Sequence, residues 1–359
     1  MLITIVDFLI TIVAFLGVLA VLILAHELGH FVTAKASRVK VDELGLFFGR
    51  RLFSVTWRET RYSLNAVPLG GFVKMAGEED PNVPNSLASK KIGTRLLVLS
   101  AGSLMNLLLP LLLFSIAFMV PHDLVSGQVE IKEVALNSPA ARAGIKSEDV
   151  VLSINDKPVR NIGDLHRYIH LNLGKEVNIL VKHSDATTEE VQAIPRWKPP
   201  EGQGAIGIVV SMSNPTVVSQ HYPFWKAIPL GVNECIETFV LFKNAIVSLF
   251  IGAASLQLTG PVGIAQLTGE AAKAGISPLL GFAAIISINL AIINLFPIPA
   301  LDGGRIVFVL LEWVRRGKRI RPEREGLIHL IGFAMLMAAI LAITYQDIIR
   351  IISGESLIP

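Results

Sequence analysis

The residues with the clearest chemical signature are His26-Glu27-Leu28-Gly29-His30, which lie in an apolar segment near the N-terminus. Positions i and i+4 of a helix share one face, so the two imidazoles can bind one metal ion while Glu27 lies beside them. Ionisable side chains inside a membrane span are costly, at about 2.5 to 3.5 kcal/mol for a charge at the centre, and usually functional. The pattern predicts a zinc site with a general base in a membrane helix.

A third metal ligand must come from elsewhere, because a catalytic zinc takes three protein ligands and keeps one position for water. The single cysteine, Cys235, excludes a cysteine cluster, so the ligand must be His, Asp or Glu. The candidate is Asp302, in the segment 294–304, where two prolines and two glycines interrupt an apolar span. Irregular backbone at membrane depth is tolerated only inside protein or beside a cavity. Alternatively, Asp302 only caps the helix that follows it.

Composition places most of the chain in a membrane. Of its 359 residues, 52% are hydrophobic and only 17% are charged, while a net charge of +3 gives no indication of nucleic-acid binding. Hydropathy predicts four membrane helices, at 7–32, 96–120, 280–300 and 327–345. The stretch 239–256 contains a lysine and follows two glutamates, which favours an amphipathic helix on the membrane surface over a fifth span.

The orientation follows from basic residues, which cluster between the first two spans and between the last two. By the positive-inside rule both connections are cytoplasmic. Both termini and the segment 121–279 are then extracytoplasmic, and His26 to His30 lie near the cytoplasmic end of the first helix. That helix has no basic region before it, so we expect a retained membrane helix rather than a cleaved signal peptide.

Two segments between the spans read as β structure. Residues 44–75 alternate β-favouring residues with turns and predict a small sheet, a β-loop, that must be buried in protein or line a cavity. From Gly127 onwards, short β-like runs predict a soluble module. Within it, residues 137–159 resemble the pattern of PDZ domains, which implies an α/β PDZ domain at 127–212 in the permuted bacterial arrangement. The resemblance implies a peptide ligand; a PDZ domain that binds no peptide is the alternative.

The motif in the first helix, together with Asn294-x-x-Pro297-x-Pro299-x-Leu301-Asp302-Gly303-Gly304 in the third, resembles the site-2 proteases. The similarity is to the bacterial regulator of sigma-E protease group and covers the whole chain. It implies a multi-pass, intramembrane zinc endopeptidase of the bacterial inner membrane, with one Zn²⁺ per chain and single-span membrane proteins as substrates. By match to the family's motifs, the metal ligands are His26, His30 and Asp302, the general base is Glu27, and the substrate-binding residues are Asn294, Pro297, Pro299, Gly70, Gly71, Phe72 and Asn106.

Some of these assignments have alternatives. The resemblance implies that the β-loop, through Gly70 to Phe72, pairs with an unwound substrate as an extra strand. Asn106 could equally act as hydrogen-bonding glue between helices. The stretch 258–264 matches a family segment for which no role can be derived. Described members of the group carry two tandem PDZ domains, whereas this chain has room for one.

We therefore expect a polytopic α-helical membrane protein with four transmembrane helices, a membrane-associated β-loop and one inserted PDZ domain. The domains would be an N-terminal membrane region at 1–120, the PDZ domain at 127–212, a linker with an amphipathic helix at 213–279 and a C-terminal membrane region at 280–359. Two rival functions are a catalytically silent PDZ-bearing scaffold and a zinc-dependent transporter or sensor. A transporter would need a polar path across the bilayer, which the other helices lack.

Overall fold

The computed structural model describes residues 2–78, 80, 82–253 and 259–353, and the chain divides into two compact units. The first unit comprises residues 1–117 and 258–359, and the second comprises residues 118–257. Each unit has a hydrophobic core of its own. The boundary near residue 258 differs from the predicted linker at 213–279, which in the structure is shared between the two units.

Within the described residues, four helices are long and apolar enough to cross a membrane, so the predicted number is confirmed. Helices are numbered here in chain order, and the four are α1 (Leu2–Ala36), α2 (Ile92–Met119), α7 (Ile276–Leu295) and α9 (Pro322–Ser353). All four belong mainly to the first unit. Helix α7 ends five residues earlier than predicted, because the prolines at 297 and 299 cannot continue a helix.

Two shorter helices complete the membrane unit, α6 (Pro261–Ala274) and α8 (Asp302–Val314). The backbone N–H of Gly263, in the first turn of α6, donates to Asp347 Oδ2 of α9 at 2.8 Å. This carboxylate, only 1% exposed, therefore caps α6. Most of the stretch singled out at 258–264 thus starts a helix, while Leu258 lies outside the described residues.

Close packing of α1 on α2 depends on Gly29. A Cβ atom built at Gly29 would lie 2.3 Å from the carbonyl oxygen of Ala101, which is backbone and cannot move aside. The absence of a side chain therefore lets the two helices approach at the level of the histidine pair. A buried hydrophobic cluster joins these helices to α8 and the β-loop. It includes Ala34 of α1, Val98 of α2 and Val309 of α8.

The β-loop consists of two long antiparallel strands, β1 (Val41–Trp57) and β2 (Thr60–Met75). Both strands bend, so that Leu44 in β1 lies opposite both Val73 and Tyr62 in β2. The bends contain Gly49 and Gly70, whose φ angles of 84° and 70° are readily adopted only by glycine. Among the described residues, the segment 71–75 pairs on one side only. It is therefore an open edge of the sheet.

The second unit contains the expected α/β domain. Its strands are β3 (His122–Val134), β4 (Val150–Ile154), β5 (Lys157–Pro158), β6 (Val177–Lys182), β7 (Thr188–Ala193) and β8 (Ile208–Gln220), and its helices are α3 (Pro139–Arg142), α4 (Ile162–Leu171) and α5 (Phe224–Phe250). The main strands are antiparallel in the order β7-β6-β4-β3-β8, with β8 at an edge and β5 paired to β4. Inward-facing side chains alternate along β6, where Val177, Ile179 and Val181 are fully buried.

Helix α5 is the amphipathic helix expected from the sequence, but it begins at Phe224, well before the predicted residue 239, and ends within the predicted range. It is not among the four candidate spans of the described chain. Glu237, on its buried face, accepts from Lys157 Nζ and from Arg167 Nε. Burial alone would raise the pKa of Glu237, but these hydrogen bonds outweigh it and the pKa is lowered. Other positions of the helix expose apolar side chains, among them Trp225 and Ile236.

Candidate metal centre

Two elements bring three candidate ligands together. His26 and His30 lie one turn apart on α1, and Asp302 is the first residue of α8. Asp302 Oδ2 lies 3.1 Å from His26 Nε2 and 3.2 Å from His30 Nε2, and the two Nε2 atoms are 3.2 Å apart. Among the described residues, these three form a cluster that could hold a metal ion.

The donor set fits zinc in both chemistry and spacing. Zinc in proteins is bound by imidazole nitrogen and carboxylate oxygen at about 2.0 to 2.2 Å, so two tetrahedral ligands lie roughly 3.3 Å apart. The three distances at this site, 3.1 to 3.2 Å, are close to that value. With three protein ligands, a tetrahedral ion would keep one position for water or substrate.

Helix α2 orients the imidazoles. His30 Nδ1 donates to the carbonyl oxygen of Val98 at 2.8 Å, which leaves the Nε2 lone pair directed at the site. Gly102, one turn further along α2, lies against the ligand nitrogens of both rings, since a Cβ atom there would be 2.3 Å from His30 Nε2 and 2.7 Å from His26 Nε2. His26 Nδ1 is buried and has no hydrogen-bond partner among the described residues.

Asp302 is positioned by the compact connection between α7 and α8. A Cβ atom at Gly303 would lie 2.0 Å from the carbonyl oxygen of Phe296, so the chain can turn this tightly only with glycine. At the first position of α8, Asp302 directs Oδ2 at the two imidazoles, and no side-chain hydrogen bond caps this helix. This geometry favours a ligand role over the alternative of a simple helix cap.

The three residues open into a cavity of about 480 Å³. Glu27, only 8% exposed, lies on its wall beside them. One side of the cavity is formed by the edge segment of the β-loop. The full set of lining residues is His26, Glu27, His30, Phe48, Gly71, Phe72, Val73, Lys74, Met75, Glu78, Leu99, Ala300, Asp302, Arg305 and Phe333.

The remaining residues predicted to bind substrate do not line this cavity. Asn106 is 1% exposed, its backbone carbonyl accepts from Ser287 Oγ of α7, and its side-chain oxygen has no partner among the described residues. The hydrogen bond that joins α2 to α7 here therefore uses the backbone of Asn106, and the substrate-binding role of its side chain stays a prediction. Gly70 packs against Phe48, while the others belong to the end of α7 and the connection after it, namely Asn294, Pro297 and Pro299.

Several residues at the site could not be predicted from the sequence. Arg305 lies one turn after Asp302 on α8 and donates to Glu78 Oε2 at 2.8 Å, which ties α8 to the end of the β-loop. Arg305 and Glu78 are too far apart in sequence for their pairing to be predicted from the sequence. The i+3 spacing of Arg305 from Asp302 does indicate that the two side chains lie on one face of a helix. His329 of α9 accepts from the backbone of Ala300, and no motif marks it.

A model of Peptidase family M50 matches residues 14–339 of the chain. The chain belongs to this family. A candidate zinc metalloprotease of Clostridium acetobutylicum is 35% identical over 92% of this M50 chain and 94% of its own length. The zinc metalloprotease RasP of Oceanobacillus iheyensis is 28% identical over 95% of this chain and 99% of its own. The M50 protein is therefore a zinc metalloprotease, and its apolar helices make it a membrane protein.

Among solved structures, the PDZ domain of an SdrC-like protein from Listeria monocytogenes matches 24% of this chain and 90% of its own, at 23% identity and a TM-score of 0.22. That score is too low for a comparison of folds.

The position of Gly102 predicts a strong effect on metal binding. The substitution Gly102→Ala would place a methyl group against both imidazoles, and we expect zinc affinity to fall roughly ten-fold or more. Gly93→Ala is the matched control, because it lies on the same helix and has no atom within 4 Å of the new Cβ. Zinc content after dialysis against a graded chelator series measures the effect. Equal retention by the two variants would contradict the placement of Gly102.

Proposed function

We propose that this M50 protein is an intramembrane endopeptidase that cleaves within the transmembrane segments of single-span membrane proteins. His26, His30 and Asp302 would hold one Zn²⁺, and Glu27 would be the general base. The observation that carries the proposal is the convergence of these donors, with Glu27, in one cavity beside a helix long enough to span a membrane. Regulated intramembrane proteolysis, for example of anti-sigma factors, and removal of signal-peptide remnants are the two processes that this activity would serve.

Peptide hydrolysis at this site would need a contribution from the bound ion and a contribution from Glu27. When bound, Zn²⁺ polarises the scissile carbonyl and lowers the pKa of a bound water to about 7. Glu27 takes a proton from the attacking water at its carboxylate and delivers it to the leaving amine nitrogen. The burial of Glu27 in the cavity wall holds the carboxylate beside the ligands and limits its contact with bulk water.

A helical substrate must unwind, because its own hydrogen bonds cover the peptide carbonyls. The open edge of the β-loop at 71–75 lines the same cavity as Glu27. Among the described residues its outer side has no strand partner, although the Met75 N–H donates to Glu78 Oε1, so an extended chain could pair there. Gly71 packs against the base, since a Cβ there would lie 2.9 Å from Glu27 Cγ. An added strand could thus pass within reach of the carboxylate. Asn294, Pro297 and Pro299 would contact substrate only outside the cavity described above.

For the topology, we propose a bacterial inner-membrane protein with its site near the cytoplasmic face and with the PDZ domain and both termini outside. The basic residues that flank the spans support this orientation. The PDZ domain has a small cavity between α4 and residues 204–210, where β8 pairs on one side only among the described residues. That groove supports a peptide ligand. As a domain outside the membrane, it would also exclude substrates that still carry a bulky ectodomain.

Deletion of the PDZ domain tests the exclusion hypothesis. His122 and Gln220 are paired across β3 and β8, so a short linker can replace the residues between them. We expect the deletion variant to cleave an untrimmed single-span substrate that the intact protein refuses, while both cleave the trimmed form. Cleavage is followed in reconstituted vesicles by gel mobility. Continued refusal of the untrimmed substrate by an active deletion variant would reject the hypothesis.

The substitution Glu27→Gln tests the catalytic assignment. The amide retains the shape of the side chain but cannot accept the proton, so we expect cleavage of a single-span peptide to fall about 10²- to 10⁴-fold with zinc content unchanged. Glu270→Gln, at an exposed position of α6, is the matched control. Unchanged cleavage by Glu27→Gln would contradict the proposal. An unaltered protein that binds zinc and cleaves no membrane peptide would instead favour the silent scaffold.

A further inference from the structure

Helix α9 packs against the connection between α7 and α8, which leads into Asp302. The backbone N–H of Ala300 donates to His329 Nδ1 at 2.9 Å. One turn further along α9, Gly332 packs directly on the same connection, since a Cβ there would lie 2.3 Å from Pro299 Cβ. The imidazole also lies against Phe308 of α8, with ring centroids 5.4 Å apart. His329 therefore contacts the connection and the helix on either side of Asp302.

The held residue has an unusual backbone conformation. Ala300 has a φ angle of +80°, in the left-handed region that residues with a Cβ atom rarely adopt. Such a conformation persists only when the surroundings enforce it, and it is found preferentially at functional sites. Ala300 lies two residues before Asp302 and lines the cavity. Its backbone conformation therefore sets the direction in which the chain enters α8.

We infer that His329 is a positioning residue for the metal centre, which fixes the left-handed conformation of Ala300 and thereby directs Asp302 at His26 and His30. The inference rests on the proposed function, in which Asp302 is the third ligand. His329 itself does not line the cavity and is not part of the metal-binding cluster, so it acts through the backbone. To accept the Ala300 N–H, its Nδ1 must carry a lone pair, which places the ring proton on Nε2.

Three substitutions at this position separate the hydrogen bond from the bulk of the ring. His329→Leu removes the acceptor, His329→Asn keeps an acceptor at the position of Nδ1, and His329→Gln moves it one bond further out. We expect His329→Leu and His329→Gln to bind zinc at least roughly ten-fold more weakly, and His329→Asn to bind it nearly as tightly as the unaltered protein. Leu330→Ala, at a neighbouring position that is 63% exposed, is the control and should bind normally.

A second substitution, added to His329→Leu, tests whether His329 acts through the backbone conformation of Ala300. Glycine adopts the left-handed region at no steric cost, so Ala300→Gly should restore part of the zinc affinity lost in His329→Leu. A histidine that only fills space would behave differently. Its loss would lower the unfolding temperature of the zinc-free protein, and neither His329→Asn nor Ala300→Gly would restore metal binding specifically.

The measurements are the zinc dissociation constant by chelator competition and the unfolding temperature of the zinc-free form, both on the full chain in detergent. Normal affinity in His329→Leu, or equal affinities in His329→Asn and His329→Gln, would overturn the inference. If His329→Leu does not accumulate, the comparison of His329→Asn with His329→Gln tests the inference by itself. Asp302→Asn is the reference: if it binds zinc normally, the proposed ligand set fails, whereas weak binding by Asp302→Asn beside normal binding by His329→Leu rejects the positioning role alone.

Discussion

The structure depends on one constraint, that a carboxylate oxygen and two imidazole nitrogens must meet within about 3.2 Å although His30 and Asp302 are 272 residues apart in sequence. Charged and polar donors are costly in an apolar surrounding unless they are paired or bind a metal. The helices that carry them must therefore pack with little tolerance. Glycines at the contacts provide this, with Gly29 against Ala101 and Gly102 against the Nε2 atoms of both imidazoles. A methyl group at Gly29 would separate α1 from α2, and one at Gly102 would displace the two imidazoles.

The same constraint explains the irregular backbone. A straight helix through residues 294–304 would carry Asp302 past the histidines, so α7 ends at Leu295 and α8 begins at Asp302. The polar backbone freed in between is satisfied locally, partly by His329 and by the tight turn at Gly303. The cavity that results is also where the open edge of the β-loop lies. Metal binding and access for an extended substrate are therefore two consequences of one break in the helix.

Much of this could be predicted from the sequence, because the signals are local or compositional. The i, i+4 spacing of His26 and His30 brings the two imidazoles together only in a helix, and the long apolar segment around them predicts that helix. Asp302 could be predicted because prolines and glycines mark a break at membrane depth. The start of α5 at Phe224 could not, since its buried face is set by ion pairs to Lys157 and Arg167 in the α/β domain of the second unit.

Long-range partners explain the other omissions. The pair of Arg305 and Glu78 joins elements more than two hundred residues apart, and His329 is an ordinary residue of an apolar helix until Ala300 is placed beside it. A family motif predicts a substrate-binding role for Asn106, and its burial, at 1% exposure, depends on how α2 and α7 pack. Motifs of this kind indicate which residues matter but not which atoms face the cavity.

The most direct test of the metal centre is X-ray absorption at the zinc edge on the purified full chain. The account predicts zinc with two imidazole ligands and additional oxygen donors, all at about 2.0 to 2.2 Å, and one fewer donor at that distance in Asp302→Asn. A sulfur shell at about 2.3 Å, or an unchanged spectrum in Asp302→Asn, would contradict the assignment of His26, His30 and Asp302 as the ligands.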